Sequence, residues 1–316
     1  MASISLAQSA LLSQNLLARG IIENIITVDR FYSQLNFMPI EGNSLAYNRE
    51  LALAGSQWIT VGDTIVAGKT APTFTQVTTS LTTLVADSEL SGFIQATRSN
   101  VNDQKAIQIA SKAKALGLAF RDKLINGVGS SNEIYGLLYY ASQGAYSGQV
   151  IAADTAGVTT NGGPLTFELL DALIDKVTDK NGIVDYIMMN PRTVRKLMSL
   201  YRSLGGAGIM ETANLSDGST PILAYRGIPV FPNANIPVNQ TVGSSTTCTT
   251  IIAGTLDDGS MKYGISGLTA SGEAGIRVTE LGDLFERDET VTRLKWYVGL
   301  ASFSVPGIAF LTGITS

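Results

Sequence analysis

Apolar residues early in the chain come in pairs: Leu11-Leu12, Leu16-Leu17, Ile21-Ile22 and Ile25-Ile26. Their four- and five-residue spacing predicts a helical stripe, interrupted at Gly20. Such a stripe needs cover, either from the chain's own core or, as an arm, from a neighbouring molecule. After Ser44 the pattern changes to alternation. Gln57-Trp58-Ile59-Thr60-Val61 is predicted as a strand, and Thr73 to Val85 places Val77, Thr79, Leu81, Thr83 and Val85 on one face. Between them lie Gly62-Asp63 and Ala67-Gly68-Lys69-Thr70-Ala71-Pro72, small and turn-prone. The pattern describes a long β-hairpin whose tip carries little apolar area beyond Ile65 and Val66. Alone in water such a ribbon is marginal, so it must lie on its own body or on another subunit.

A long helix is predicted over 101–126. Asn100 is its N-cap, Asp103 sits in the first turn, and Gly127 stops it. Ile109, Ala113, Leu116, Phe120 and Leu124 form its apolar stripe, with Lys105, Lys112, Lys114, Arg121 and Lys123 carrying the charge. Gly127 to Ser131 then turns into Tyr135-Gly136-Leu137-Leu138. Thr166 caps a second helix with Leu170, Leu173, Ile174 and Val177 on one face. Val184 to Met189 is a strand. Asn190-Pro191 opens a third helix, faced by Val194, Leu197, Met198 and Tyr201 and ended at Gly205-Gly206. From Ile222 onward the chain reads as strands and turns, in Tyr225 to Val230, Thr249 to Gly254, Gly275 to Leu281 and Thr290 to Val305. Trp296 to Ser316 is uncharged and long enough to span a bilayer. Its glycines, serines and Pro306-Gly307 favour two buried strands instead. The fold class is α+β.

Composition changes the picture in three ways. Charged residues make up 15% of the 316-residue chain against 45% hydrophobic. That charged share is well below the roughly 25% usual for globular domains. So little charge favours a surface covered by other subunits. The net charge of −4, with no Lys/Arg run, removes the electrostatic footprint of a nucleic-acid binder. There is no histidine and one cysteine, Cys248, which takes away the usual catalytic triads, imidazole ligation and any disulfide framework. No secretory signal is expected, since the first basic residue is Arg19 and no compact apolar core precedes a cleavage site.

Candidate chemistry fails on inspection. Gly68-Lys69-Thr70 ends like a phosphate loop, but Asp63 stands where the first glycine belongs and Pro72 precedes a strand. Gly127-Val128-Gly129 follows a helix, not a strand, and Asn132 replaces the third glycine. Ser111-Lys112-Ala113-Lys114 matches Ser-x-x-Lys in mid-helix without companion motifs. Asp257-Asp258 and the group Asp283, Glu286, Asp288 and Glu289 lie among Arg277, Arg287, Arg293 and Lys295 and read as mixed-charge contacts. No catalytic, cofactor or metal residue is assigned.

Several phrases together resemble one family. They are Arg30 to Leu35 with Pro39 to Asn43, Ala46-Tyr47-Asn48-Arg49-Glu50, Phe93 to Thr97, and Leu124 to Gly127 leading to Gly136-Leu137-Leu138. Met189 to Thr193, Tyr225 to Val230 and Val291 to Leu300 complete the set. In this order and spacing they are similar to the major capsid proteins of tailed bacteriophages with the Hong Kong 97-type fold. The resemblance implies an N-terminal arm (1–43), an extended hairpin loop (44–80) and a peripheral domain with the spine helix (81–134). An axial domain (135–260) follows, and the final strands (261–316) return to the periphery. It implies self-assembly into hexamers and pentamers of an icosahedral head, with portal, scaffolding and cement proteins as partners. The head, assembled in the host cytoplasm, encloses double-stranded DNA without sequence-specific binding, with no membrane and no cofactor. Contacts between subunits are expected at Leu12, Leu16, Ile21 and Ile25 of the arm and at Trp58, Ile65, Val66 and Lys69 of the hairpin. Glu286, Arg287, Arg293 and Lys295 are expected to join them. Some relatives join a hairpin lysine covalently to a neighbour's asparagine with help from a buried acid; with neither partner identified here, Lys69 is expected to be an ordinary exposed lysine of the tip. An encapsulin-like compartment shell is the alternative, and a histidine-free hydrolase or binding protein is a third reading.

Overall fold

The computed structural model describes residues 30–91, 104–130, 132–153, 161–205, 211–214, 221–271, 275–283, 285 and 288–315. Helix α1 (Arg30–Gln34) leads into β1 (Phe37–Ile40), then β2 (Ser44–Ala52), β3 (Thr73–Ser80) and β4 (Thr82–Ser91). Helix α2 (Gln104–Asn126) and the short α3 (Leu137–Ser142) follow, then β5 (Val150–Ala152) and β6 (Gly163–Pro164). Next come α4 (Phe167–Thr178), β7 (Tyr186–Met189) and α5 (Pro191–Ser203). The remainder is β8 (Glu211–Ala213), β9 (Ile222–Tyr225), β10 (Ile228–Pro232), β11 (Gln240–Val242) and β12 (Ser245–Gly254), then β13 (Ile265–Ala270), β14 (Arg277–Asp283), β15 (Glu289–Ser302) and β16 (Ile308–Thr315).

Among the described residues the strands form three sheets. A five-stranded sheet runs β1-β13-β15-β14, with β4 pairing the other edge of β15 from Glu289↔Ser91 to Val298↔Thr82. A nine-stranded sheet runs β5-β16-β12-β7-β10-β9-β8, with β11 against β12 and β6 against β16. β2 and β3 form a separate two-stranded ribbon.

The spine helix α2 lies where the two large sheets meet. Its stripe of Ile109, Ala113, Leu116, Phe120 and Leu124 is buried at every position. Side chains two residues apart on β15 (Leu294, Trp296, Val298, Leu300) meet it in one core, together with Tyr186, Met188, Ile252 and Phe310 of the nine-stranded sheet. Alternate residues of those same strands, Ile187, Met189, Ile251, Ala253, Ala309 and Leu311, face a second core under α4 and α5. With both faces buried, these strands read as continuous apolar runs. The caps behave as their chemistry dictates: Thr166 Oγ1 accepts from the Leu169 amide, and Asn190 Oδ1 accepts from Arg192 ahead of Pro191. Gly127 and Gly136 are required by close approach. A Cβ at Gly127 would stand 2.3 Å from the Ile134 carbonyl oxygen, and one at Gly136 2.6 Å from the Gly127 nitrogen.

The chain departs from the sequence reading in several places. Gln57 to Val61 is not a strand: the partner of β3 is β2, from Ser44↔Ser80 to Ala52↔Thr73, and residues 53–60 stay outside any ladder. The alternating run from Thr73 to Val85 is broken at Leu81, where the chain leaves the ribbon and joins β15. Among the described residues no ion pair to Asp257 is found; its carboxylate accepts from the amides of Gly259 and Met261, and Asp258 from that of Ser260. β16 sits between β5 and β12 in the nine-stranded sheet, while β13, β14 and β15 lie in the five-stranded one. The helix start at 100–103 and the phrase Phe93 to Thr97 lie outside the described residues.

Candidate subunit interface

The β2–β3 ribbon ends in a tip that exposes apolar side chains. Trp58 and Val61 are 102% and 103% exposed, and Leu51, Leu53, Ile59, Ile65, Val66 and Phe74 are exposed with them. Polar bonds close the tip on itself. Asp63 Oδ2 accepts from the Thr60 amide at 2.8 Å, Gln57 Oε1 from the Val66 amide at 2.9 Å, and the Thr70 carbonyl from the Gly55 amide at 3.0 Å. Gly62 takes a φ of +97°, which a glycine adopts without steric cost. The backbone is thus shaped by polar contacts while the apolar groups face outward. That is the inverse of a folding core, in which apolar groups turn inward.

At the root of the ribbon Tyr47 and Arg49, two residues apart on one face of β2, reach the body. Tyr47 Oη donates to the Ser302 carbonyl at 2.7 Å, and the Tyr47 ring meets Phe303 edge-on at 5.3 Å. Tyr146 hydrogen-bonds Ser302 Oγ at 2.9 Å, and burial pushes its phenol pKa up. Leu81 donates to Asn43 across the ribbon's base at 2.8 Å.

Of the residues expected at subunit contacts, the structure brings Trp58, Ile65, Val66 and Lys69 together at the tip. Lys69 is exposed at the end of a 3₁₀ turn, Ala67–Lys69. Arg293 and Lys295 lie elsewhere, on β15. The Arg293 guanidinium makes a bidentate pair with Asp87 of β4 in the same chain at 2.8 and 2.9 Å. That pairing holds the Asp87 carboxyl below its usual range. Lys295 Nζ lies 3.2 Å from Tyr297 Oη and 5.2 Å from the ring centroid. Leu12, Leu16, Ile21, Ile25, Glu286 and Arg287 lie outside the described residues. Phe285, beside the last two, is fully exposed.

Sequence reasoning missed Leu51, Leu53, Val61 and Phe74 as part of the apolar tip, and Arg49 as part of its root. The composition held a signal for the former, because seven apolar residues fall from Leu51 to Val61 with no charge among them. For chemistry the arrangement offers little. Among the described residues no group of three or more Cys, Asp or Glu is placed to hold a metal ion, and no helix is long and apolar enough to cross a membrane.

Comparison with known proteins is consistent in kind. The model of the phage capsid family matches residues 9–313. No curated protein matches the sequence. Among solved structures, the chain is similar to the SrpI encapsulin of Synechococcus elongatus PCC 7942 (TM-score 0.66, 18% identity, 90% of this chain and 87% of that one). It is equally similar to the capsid of cyanophage A-1(L) (TM-score 0.66, 14% identity, 91% and 93%). The structure from Mycobacterium phage Bobi aligns over the full length of both chains (TM-score 0.59, 14% identity). At these identities the likeness is one of fold, and the fold is the Hong Kong 97-type capsid fold.

Proposed function

Because the chain belongs to the phage capsid family, we propose that it builds the icosahedral head of a tailed bacteriophage, as hexamers and pentamers around double-stranded DNA. That it is a capsid shell subunit, associating with copies of itself, follows from the family. Association through the ribbon is supported by one observation: an apolar tip with Trp58 and Val61 fully exposed on a ribbon outside both large sheets. A second copy of the chain is the surface that would cover it. In this reading the nine-stranded sheet with α4 and α5 is the axial part and meets its equivalents around the capsomer centre. The five-stranded sheet with α2 is the periphery. Contacts at Leu12, Leu16, Ile21, Ile25, Glu286 and Arg287 would add to those at Trp58, Ile65, Val66 and Lys69. No catalytic step is assigned, and portal, scaffolding and cement proteins are the expected partners.

Electron microscopy of the purified protein, with scaffold supplied, tests this directly. Closed shells or capsomer rings are expected, and a protein that stays monomeric at high concentration would end the proposal. Particle contents separate the phage head from an encapsulin-like compartment. Double-stranded DNA is expected in particles from the native source, and an enclosed enzyme would favour the compartment.

A further inference from the structure

An arm that docks on a neighbour must be held at a defined angle, and the root of the ribbon contains a device for doing so. The guanidinium of Arg49 lies between the rings of Tyr47 and Tyr146, 5.5 Å from each centroid. Its Nε donates to the Phe303 carbonyl at 3.1 Å, and its Nη2 donates to Tyr146 Oη at 2.8 Å and to the Ser302 carbonyl. Nη2 also lies 3.3 Å from Tyr47 Oη, and Tyr47 shares the Ser302 carbonyl. Three distant stretches of chain therefore meet on one cation. They are the ribbon strand β2, the 3₁₀ segment Gly144–Gln149 that leads into β5, and the end of β15.

The anchor points belong to the body. Tyr146 is 2% exposed, Ser302 is fully buried, and the Phe303 amide is engaged by the Gly264 carbonyl at 3.0 Å. The ribbon itself is only two strands wide, and two-stranded ribbons vary most in twist. From Arg49 to Trp58 the chain reaches at most roughly 30 Å, so a 10° change at the root displaces the tip by about 5 Å. That exceeds the tolerance of side-chain packing.

We infer that Arg49 is the positioning residue of the hairpin: its fork, gripping the Ser302 and Phe303 carbonyls and Tyr146, holds the ribbon at one pitch so that the apolar tip meets the next subunit in register. The inference rests on the reading of the tip as an arm between subunits. The planar fork matters, because a lysine would place one point charge where Arg49 makes several directed bonds.

The test uses the full chain with spin labels at Thr64→Cys on the tip and Ser111→Cys on α2, both exposed; the native Cys248 is fully buried and escapes labelling. In free subunits a narrow label-to-label distance distribution is expected with Arg49, a broad one with Arg49→Ala, and an intermediate one with Arg49→Lys. Some loss in thermal unfolding is expected of any role, because buried acceptors lose their donor; the width of the distance distribution is what a merely stabilising role would leave unchanged. An equally narrow distribution in Arg49→Ala overturns the inference. Should that variant not fold, Tyr146→Phe carries the test. It removes one bond to the fork and keeps the ring, so some broadening is expected and an unchanged width counts against the clamp. Shells assembled from Arg49→Ala are expected to be mixed in size. If the distribution broadens and the shells stay uniform, the clamp stands and the tip's role in assembly fails.

Discussion

Trp58→Ala should separate folding from assembly. In the free subunit the indole is 102% exposed and contributes nothing to either core. Its removal should change unfolding free energy by no more than about 0.5 kcal/mol, as for other surface substitutions. Docked on a neighbour, the side chain has more to lose. Aromatic side chains bury about 150–250 Å² when fully covered. Covering half of that, about 100 Å² at ~25 cal/mol per Å², contributes about 2.5 kcal/mol. Ordering the side chain at the interface takes back about 0.5 kcal/mol or a little more. Each subunit donates one Trp58, so the net loss of about 2 kcal/mol applies per subunit. At ~1.4 kcal/mol per factor of ten, the concentration at which shells appear should rise roughly 30-fold. Light scattering across a dilution series measures that threshold, and circular dichroism of the dilute subunit monitors the fold. An unchanged threshold, or a subunit that unfolds early, would show that the indole is not part of an interface.

Other expectations concern the body. Phe120→Ala, at the crossing of α2 with Trp296 and Tyr32, should cost about 3–5 kcal/mol in urea unfolding of the free subunit. A loss under 1 kcal/mol would mean that this core collapses to refill the space. Asp185 has its pKa raised by burial, so it favours folding below the ordinary value of 3.8 and loses that contribution as pH rises through its folded value. Asp185→Asn, whose amide oxygen can still accept from Leu256, should therefore raise the unfolding temperature at pH 7 and leave it unchanged at pH 3. A drop at pH 7 would contradict this. Asp87 runs the opposite way: Arg293 lowers its pKa, so its stabilisation is present above 3.8 and lost as pH falls through the folded value. Asp87→Asn should flatten that acid limb in a pH series of thermal melts, and an unaltered limb would remove the pair from the account.

What the sequence made legible was local. The α2 stripe, the Thr166 cap and the Asn190-Pro191 start depend on residues within a few positions of one another, and each is found where its spacing predicts. The ribbon was half legible. Trp58, Ile59 and Val61 are strong strand formers, yet they make no strand, because β-propensity describes a surface that needs cover and cannot say whether a ladder or another subunit supplies it. The true partner of β3 was hidden in Ser44–Ala52, where Tyr47 and Arg49 alternate with polar residues. The root was not legible at all. Arg49 meets Ser302 across 253 residues, and no local pattern announces a contact of that range. The same holds for β16, which lies inside the nine-stranded sheet although nothing in its apolar run separates it from the strands preceding it.

That last placement has a consequence for the order of events during synthesis. β16 pairs with β12 on one side and with β5 and β6 on the other. Through Phe310 and Leu311 it supplies side chains to both large cores. Everything else in the nine-stranded sheet is translated before it. At roughly 5–20 residues per second the ribosome takes about 8–30 s to carry the chain from β5 to residue 308. Throughout that interval the sheet lacks its interior strand and neither core can close. A chain broken off before residue 308 therefore never acquires a native body on which to carry its hairpin. Incomplete subunits are therefore expected to stay open to proteases, which limited proteolysis of a chain ended at residue 307 would check.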